Sequence, residues 1–154
     1  MKQYKFDDIA AAQEIVSEEW GEFGKQFEVT QDVINKFADL TGDNYFLHVD
    51  PEAAAKGPFG TTIAHGFLTL SLMPRLTIQE NFEIVGSAFM VNYGSNKLRF
   101  VGSVPSGSKI HMRARVTGVE AGAKGGMQMT REFAIHVVGQ ERPALLYEMI
   151  MRYM

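Results

Sequence analysis

The sequence predicts a single α+β domain over residues 1–154, an antiparallel sheet wrapped around one long buried central helix. Three observations carry that prediction. Amphipathic helical patterns fill the first third of the chain, an apolar segment with no polar face occupies residues 63–80, and period-two alternation dominates the second half. The 154 residues are 45% hydrophobic and 21% charged, enough apolar material for one sizeable core and too little chain for two.

Asp7 is placed to cap a first helix, because Ile9, Ala12, Val16 and Trp20 recur at three- and four-residue spacing and Gly21 follows as a stop. A second helix starts at Thr30. Val33, Phe37 and Leu40 share one face of it, Asp32 sits in the electropositive first turn, and Gly42 suits the left-handed C-terminal position. Asp50-Pro51 then reads as the cap and first residue of a helix barely longer than one turn, ended by Gly57-Pro58. Across residues 63–80, Phe67, Leu68, Leu70, Leu72, Met73 and Leu76 cover most of the helical circumference, the pattern of a buried helix. Pro74 lacks a backbone donor and is expected to kink that helix or end its regular part. A strand is expected over residues 88–93, continuing through 97–101 after a bulge or bend at Gly94. Ile110, Met112, Ala114 and Val116 alternate with Lys109, His111, Arg113, Arg115 and Thr117, which describes a half-buried strand. Met127, Met129, Phe133, Ile135 and Val137 repeat the pattern, broken once by Arg131, and residues 144–153 supply a last extended segment. Turn-forming residues at 105–107, 122–126 and 139–141 punctuate this meander.

Composition excludes several classes of function. Net charge is −3 with Lys and Arg scattered, so there is no nucleic-acid footprint. Cysteine is absent, which removes disulfides, thiolate metal sites and a Cys nucleophile. Residues 1–8 lack the apolar core of a signal peptide, and no apolar run is long enough to span a membrane. The expectation is a soluble, cytoplasmic protein. No two histidines have the helix spacing of a metal site, and no dinucleotide or phosphate-loop glycine pattern occurs.

The chemistry-bearing stretch is Thr41-Gly42-Asp43-Asn44-Tyr45-Phe46-Leu47-His48-Val49-Asp50-Pro51, which sets a carboxylate and an imidazole five positions apart in a turn-rich segment. Such a pair on one side of a cleft can hold a water, one group taking a proton and the other giving one. Taken alone, Asp43 has the simpler reading of a turn residue bonded to backbone, and His48 that of a satisfied loop histidine. Asp50, before Pro51, reads as a cap. His65-Gly66 lies at the entrance of the buried helix, where a glycine permits close approach to a backbone N–H or simply close packing. Tyr45, Phe46 and Phe59 are candidates for a pocket wall or for ordinary core. Lys97 and Arg99 are candidates for phosphate contacts or solvated charge.

Thr41-Gly42-Asp43 through Leu47-His48-Val49-Asp50-Pro51, followed by Gly57-Pro58-Phe59-Gly60-Thr61-Thr62-Ile63-Ala64-His65-Gly66, resembles the MaoC-like hydratases of the hot-dog fold, which include the (R)-specific enoyl-CoA hydratases. The likeness is greatest to the subgroup containing nodulation protein N, extends to Val91-Asn92-Tyr93-Gly94, and covers the chain from about Ser17 onward. One departure is that Tyr45-Phe46 stands where many members of the wider family have Asn-Pro. The resemblance implies reversible hydration of trans-2-enoyl thioesters to (R)-3-hydroxyacyl thioesters, carried on CoA or acyl carrier protein. It further implies an acid/base pair of Asp43 and His48, an oxyanion donor at the Gly66 N–H, and substrate contacts from Tyr45, Phe59, His65 and Arg99. No cofactor is expected, because the thioester itself makes C3 electrophilic, and a homodimer is implied in which two sheets join edge to edge. Two alternatives are a hot-dog thioesterase, which would place a carboxylate near the central helix where residues 63–74 have none, and a non-catalytic acyl-thioester binder.

Overall fold

In the computed structural model, which describes residues 1–154, the elements in chain order are β1 (Lys2–Lys5), α1 (Ile9–Ala12), β2 (Phe27–Val29), α2 (Gln31–Thr41), α3 (Phe46–Val49), α4 (Pro51–Ala55), α5 (Gly66–Ser71), β3 (Phe82–Val85), β4 (Met90–Phe100), β5 (Ser108–Ala121), β6 (Met127–Val137) and β7 (Leu145–Tyr153). Five strands form one sheet in the order β2-β5-β6-β7-β4 with every neighbouring pair antiparallel, and β1 pairs in parallel with β3 beside it. The long strands fall where period-two alternation places them. The bend at Gly94 is a register shift against β7 between Asn92 and Gly94.

The core lies between this sheet and the helices. Ile34 of α2, Leu68 of α5 and Leu76 meet Ile110, Met112, Phe133, Ile135 and Leu145 from the strands. Each such aliphatic or aromatic side chain contributes about 1.5–3 kcal/mol through burial. A second cluster, built on Tyr4, Ala12, Val116, Val119, Met127, Met129 and Met151, closes the other end of the sheet. Arg131, which interrupts the alternation of β6, is 2.5 Å from Glu80 and lies over the rings of Phe82 and Phe133. Its charge is thereby paired and its stem packed.

The central helix is shorter than its sequence pattern. Residues 63–65 are extended, with Ile63 bridging to Pro105 and the Ala64 N–H donating to the Val104 carbonyl. After α5 the chain tightens into a 3-10 turn at Met73–Arg75, because Pro74 cannot donate into an α-helical ladder. Nor is the helix covered all round: Leu68 and Thr69 are buried, but Phe67 is 63% exposed.

The first helix also departs from expectation. Asp8, not Asp7, accepts from the Ala11 N–H, and the helix gives way to a 3-10 turn at Gln13–Ile15, well before Trp20. The edge of β5 offers backbone partners that a free helix end lacks. Ser17, Gly21 and Gly24 donate to the carbonyls of Val116, Ala114 and Met112, so residues 17–24 run along that edge as an irregular strap. Trp20 lies against the guanidinium groups of Arg113 and Arg115, and Phe23 stacks on His111 at 3.8 Å. His136 is buried beside Phe23. No helix is long and apolar enough to cross a membrane.

Candidate active site

Gly42 ends α2 at φ 79°, a left-handed conformation that costs glycine nothing, and its N–H returns to the Ala38 carbonyl. The chain therefore turns off the helix immediately before Asp43. The Asp43 carboxylate is exposed and its Oδ1 takes only a 3.4 Å contact from the Tyr45 N–H. Three residues further on from Tyr45, α3 carries His48, half-buried, with Nδ1 2.8 Å from the Ile63 carbonyl. A carbonyl only accepts, so Nδ1 carries the proton of this hydrogen bond, and in the neutral ring Nε2 is the nitrogen that can accept one. Asp50 is the cap of α4, as expected, with Oδ1 accepting from the Ala53 N–H.

Gln31, at the start of α2, donates 2.7 Å to the His48 carbonyl and accepts from the buried Thr62 hydroxyl at 2.5 Å. It joins the second helix, the His48 turn and the segment leading into α5. Its sequence position beside the Thr30 cap gives no signal of this, because both of these partners come from elsewhere in the chain.

His65 is 3% exposed and immediately precedes α5. Its Nε2–H donates 2.9 Å to the Asp43 backbone carbonyl, and its ring stacks on that of His48 with centroids 3.9 Å apart and planes within 24°. Asp43, His48 and His65 thus bring one oxygen or nitrogen each within 4.8 Å of one another. No helix spacing could reveal this cluster, since His48 and His65 belong to different elements. Ring lone pairs lie in the ring plane, so two stacked imidazoles point alongside each other instead of converging on one ion, and one nitrogen of each is engaged by a carbonyl. The arrangement suits proton exchange with a small polar molecule better than metal ligation.

Beside the pair opens a cavity of about 440 Å³, mostly apolar, with His48 and Gly66 at one wall and Phe59, Phe100, Ser103 and Leu145 among the others. Gly66 is the first residue of α5, and its N–H has no acceptor in the chain. A Cβ built on Gly66 would lie 2.6 Å from the Phe100 ring, so any larger residue here requires that ring to move.

A family model described as MaoC like domain matches residues 16–137. The chain belongs to the MaoC-like family. It is 44% identical over 148 residues to 3-hydroxyacyl-thioester dehydratase Z of Mycobacterium tuberculosis (strain ATCC 25618 / H37Rv), an alignment covering 95% of this chain and 93% of that protein. It is 37% identical over 134 residues to nodulation protein N of Rhizobium leguminosarum bv. viciae, covering 86% and 80%. Among solved structures, the monoamine oxidase regulatory protein from Archaeoglobus fulgius superposes with a TM-score of 0.70 at 29% identity, covering 88% of this chain and 92% of that one. The fold is therefore the hot-dog fold expected from the MaoC-like motif.

Within this MaoC-like domain the expected substrate contacts divide. Phe59 lines the cavity. Tyr45 does not: it is 56% exposed, packs edge-on against Phe46, and its ring centre lies 6.2 Å from that of His48. His65 is turned beneath His48 instead of into the cavity, because its N–H is drawn to the Asp43 carbonyl. Arg99 lies on exposed β4 with its guanidinium donating to the adjacent Leu98 carbonyl, outside the cavity wall. Phe100, not singled out from the sequence as a site residue, lines the cavity and confines Gly66.

Proposed function

We propose that this protein reversibly adds water across the double bond of trans-2-enoyl thioesters, giving (R)-3-hydroxyacyl thioesters, with Asp43 and His48 as the acid/base pair. The observation that carries the reading is that His48, its Nδ1 engaged by the Ile63 carbonyl, and Gly66, its N–H without an acceptor in the chain, line one apolar cavity, with a His48 ring nitrogen within 4.8 Å of an Asp43 carboxylate oxygen. The name of the mycobacterial relative, a 3-hydroxyacyl-thioester dehydratase, supports the same chemistry.

In the hydration direction one water sits between the two groups. His48 Nε2 takes a proton as the water oxygen bonds to C3, and the C2–C3 π electrons move toward the thioester oxygen. The negative charge gathering there is met by the Gly66 N–H, a contribution of about 3 kcal/mol for a donor of this kind. The proton taken by His48 is then relayed through the Asp43 carboxylate to C2, so that both groups end as they began. The mostly apolar cavity accommodates the acyl chain. The thioester supplies the electron sink, so the scheme calls on no cofactor.

The functional unit in this reading is a cytoplasmic homodimer joined through β4, the one long strand with a free edge. Met90, Val91, Tyr93 and Phe100 are exposed along it, with the exposed Phe67 of α5 against Phe100. The test of the activity is an assay of the purified protein with crotonyl-CoA, following loss of the conjugated thioester and release of free thiol together. Hydration consumes the conjugation without releasing thiol. Thiol release would assign thioester hydrolysis, and no change in either would assign a binder.

A further inference from the structure

Hydration as described uses Asp43, His48 and the Gly66 N–H, and leaves a deeply buried imidazole of the site without a task. His65 is 3% exposed, its Nδ1 is enclosed with no hydrogen-bond partner, and its side chain makes no cap to the helix it precedes. An unpartnered polar atom in such a place is costly, and an apolar ring would fill the same space without that cost. What an apolar ring would lack is the Nε2–H, which reaches the Asp43 carbonyl at 2.9 Å.

That donor ties Asp43 itself to the segment leading into α5, whose other bonds to this turn, from the Ile63 N–H to the Leu47 carbonyl and from His48 Nδ1 to the Ile63 carbonyl, lie four and five residues further along. The Asp43 side chain has only the long contact from the Tyr45 N–H, and the Asp43 N–H only a 3.4 Å contact with the Thr41 hydroxyl. The loop's firm anchor is therefore its carbonyl, held by His65. The ring carrying the donor is itself fixed, with Phe37 tilted against it at 4.9 Å and the face of His48 stacked on it at 3.9 Å. Its backbone runs directly into Gly66, and its own carbonyl accepts from the Thr69 N–H in the first turn of α5. One side chain thus touches the loop of the acid, the ring of the base and the start of the helix that bears the oxyanion donor.

We infer that His65 is a positioning residue, which sets the separation of the Asp43 carboxylate from His48 Nε2 and couples both to the Gly66 N–H. The inference rests on the hydration reading. Misplacing a reacting group by about 1 Å can lower turnover roughly 100-fold without loss of binding. Neither group need be lost, only held loosely.

Two variants separate the donor from the ring. His65→Phe keeps an aromatic face against His48 and Phe37 but has no N–H, whereas His65→Gln keeps a terminal N–H at similar reach and has no ring. With crotonyl-CoA, His65→Phe is expected to lower kcat roughly 100-fold with KM nearly unchanged, and His65→Gln to recover most of the loss. Thermal unfolding of each variant gives the stability change separately. A folded His65→Phe protein with parental kcat, or a His65→Gln protein as slow as His65→Phe, overturns the inference. If the parent shows no hydration, the underlying reading fails and takes the inference with it; an active parent with an unaffected Phe variant removes the inference alone. Imidazole 15N spectra of the unaltered protein test the same point without mutation. A His65 proton on Nε2, slow to exchange, is the expected result, and a proton on Nδ1 contradicts the link to Asp43.

Discussion

His48→Asn removes the basic Nε2 yet keeps an amide N–H near the position of Nδ1, where it can still donate to the Ile63 carbonyl. Asp43→Asn is nearly isosteric and removes only the charge. Each is expected to lower turnover of crotonyl-CoA by roughly 100-fold or more while the melting temperature stays close to parental. The double variant should lose little beyond the worse single one, because the two groups act as a unit. Gly66 now carries a structural demand as well as its proposed chemical one. The methyl of Gly66→Ala would meet the Phe100 ring at 2.6 Å, so that substitution is expected to destabilise by about 1–3 kcal/mol through overpacking. Phe100→Leu in the same chain should recover much of that loss, measured as non-additivity in a double-mutant cycle of denaturant unfolding. Strict additivity would show that the ring is not what confines Gly66. At this scale the motif made Asp43 and His48 readable, whereas Gln31 and the Ile63 carbonyl were not, since their partners lie 17 and 15 residues away and leave no local pattern.

The strap of residues 17–24 was the element least legible in advance. Backbone donors at Ser17, Gly21 and Gly24 hold it to β5, and donors of that kind leave no periodicity in the side chains. By contrast β5, β6 and β7 have one face on the core, and the resulting alternation located them closely. The extent of α5 was misjudged because apolar residues continue beyond Pro74 into a 3-10 turn and loop that are packed but not helical. The strap also gives a pH dependence. Burial beneath Phe23, then the neighbouring His136 and Arg113 charges, push the His111 pKa below its ordinary 6.5. The folded state therefore binds the His111 proton less readily than the unfolded chain. Stability is fully retained above pH 6.5, falls as pH drops through the window between 6.5 and the lower folded value, and levels off below that. Thermal unfolding across this range should show the decline, and His111→Gln should flatten it. An unchanged slope in that variant would assign the decline to other groups.

The whole molecule has one edge covered and one open. β2 and the strap close the β5 side of the sheet, while β4 leaves backbone and apolar side chains exposed beside the cavity. Light scattering on micromolar protein is expected to give the mass of a homodimer, and Val91→Asp, which sets a charge on the exposed edge, to give the monomer. A monomeric parent with full activity would remove the dimer from the account. The fold as a whole was readable because strand alternation and the joined Asp43–Pro51 and Gly57–Gly66 motifs agree on one architecture. The open edge was not readable from β4 itself, where apolar and polar residues are exposed on both faces. Water addition at C3 is the claim on which the site, the cavity and the positioning by His65 all depend, and isotope labelling reads it directly. Crotonyl-CoA incubated with the protein in 18O-enriched water is expected to give an intact 3-hydroxyacyl thioester with the label on the C3 oxygen, formed far more slowly by Asp43→Asn. Label in a free carboxylate, or no labelled product at all, would contradict the account.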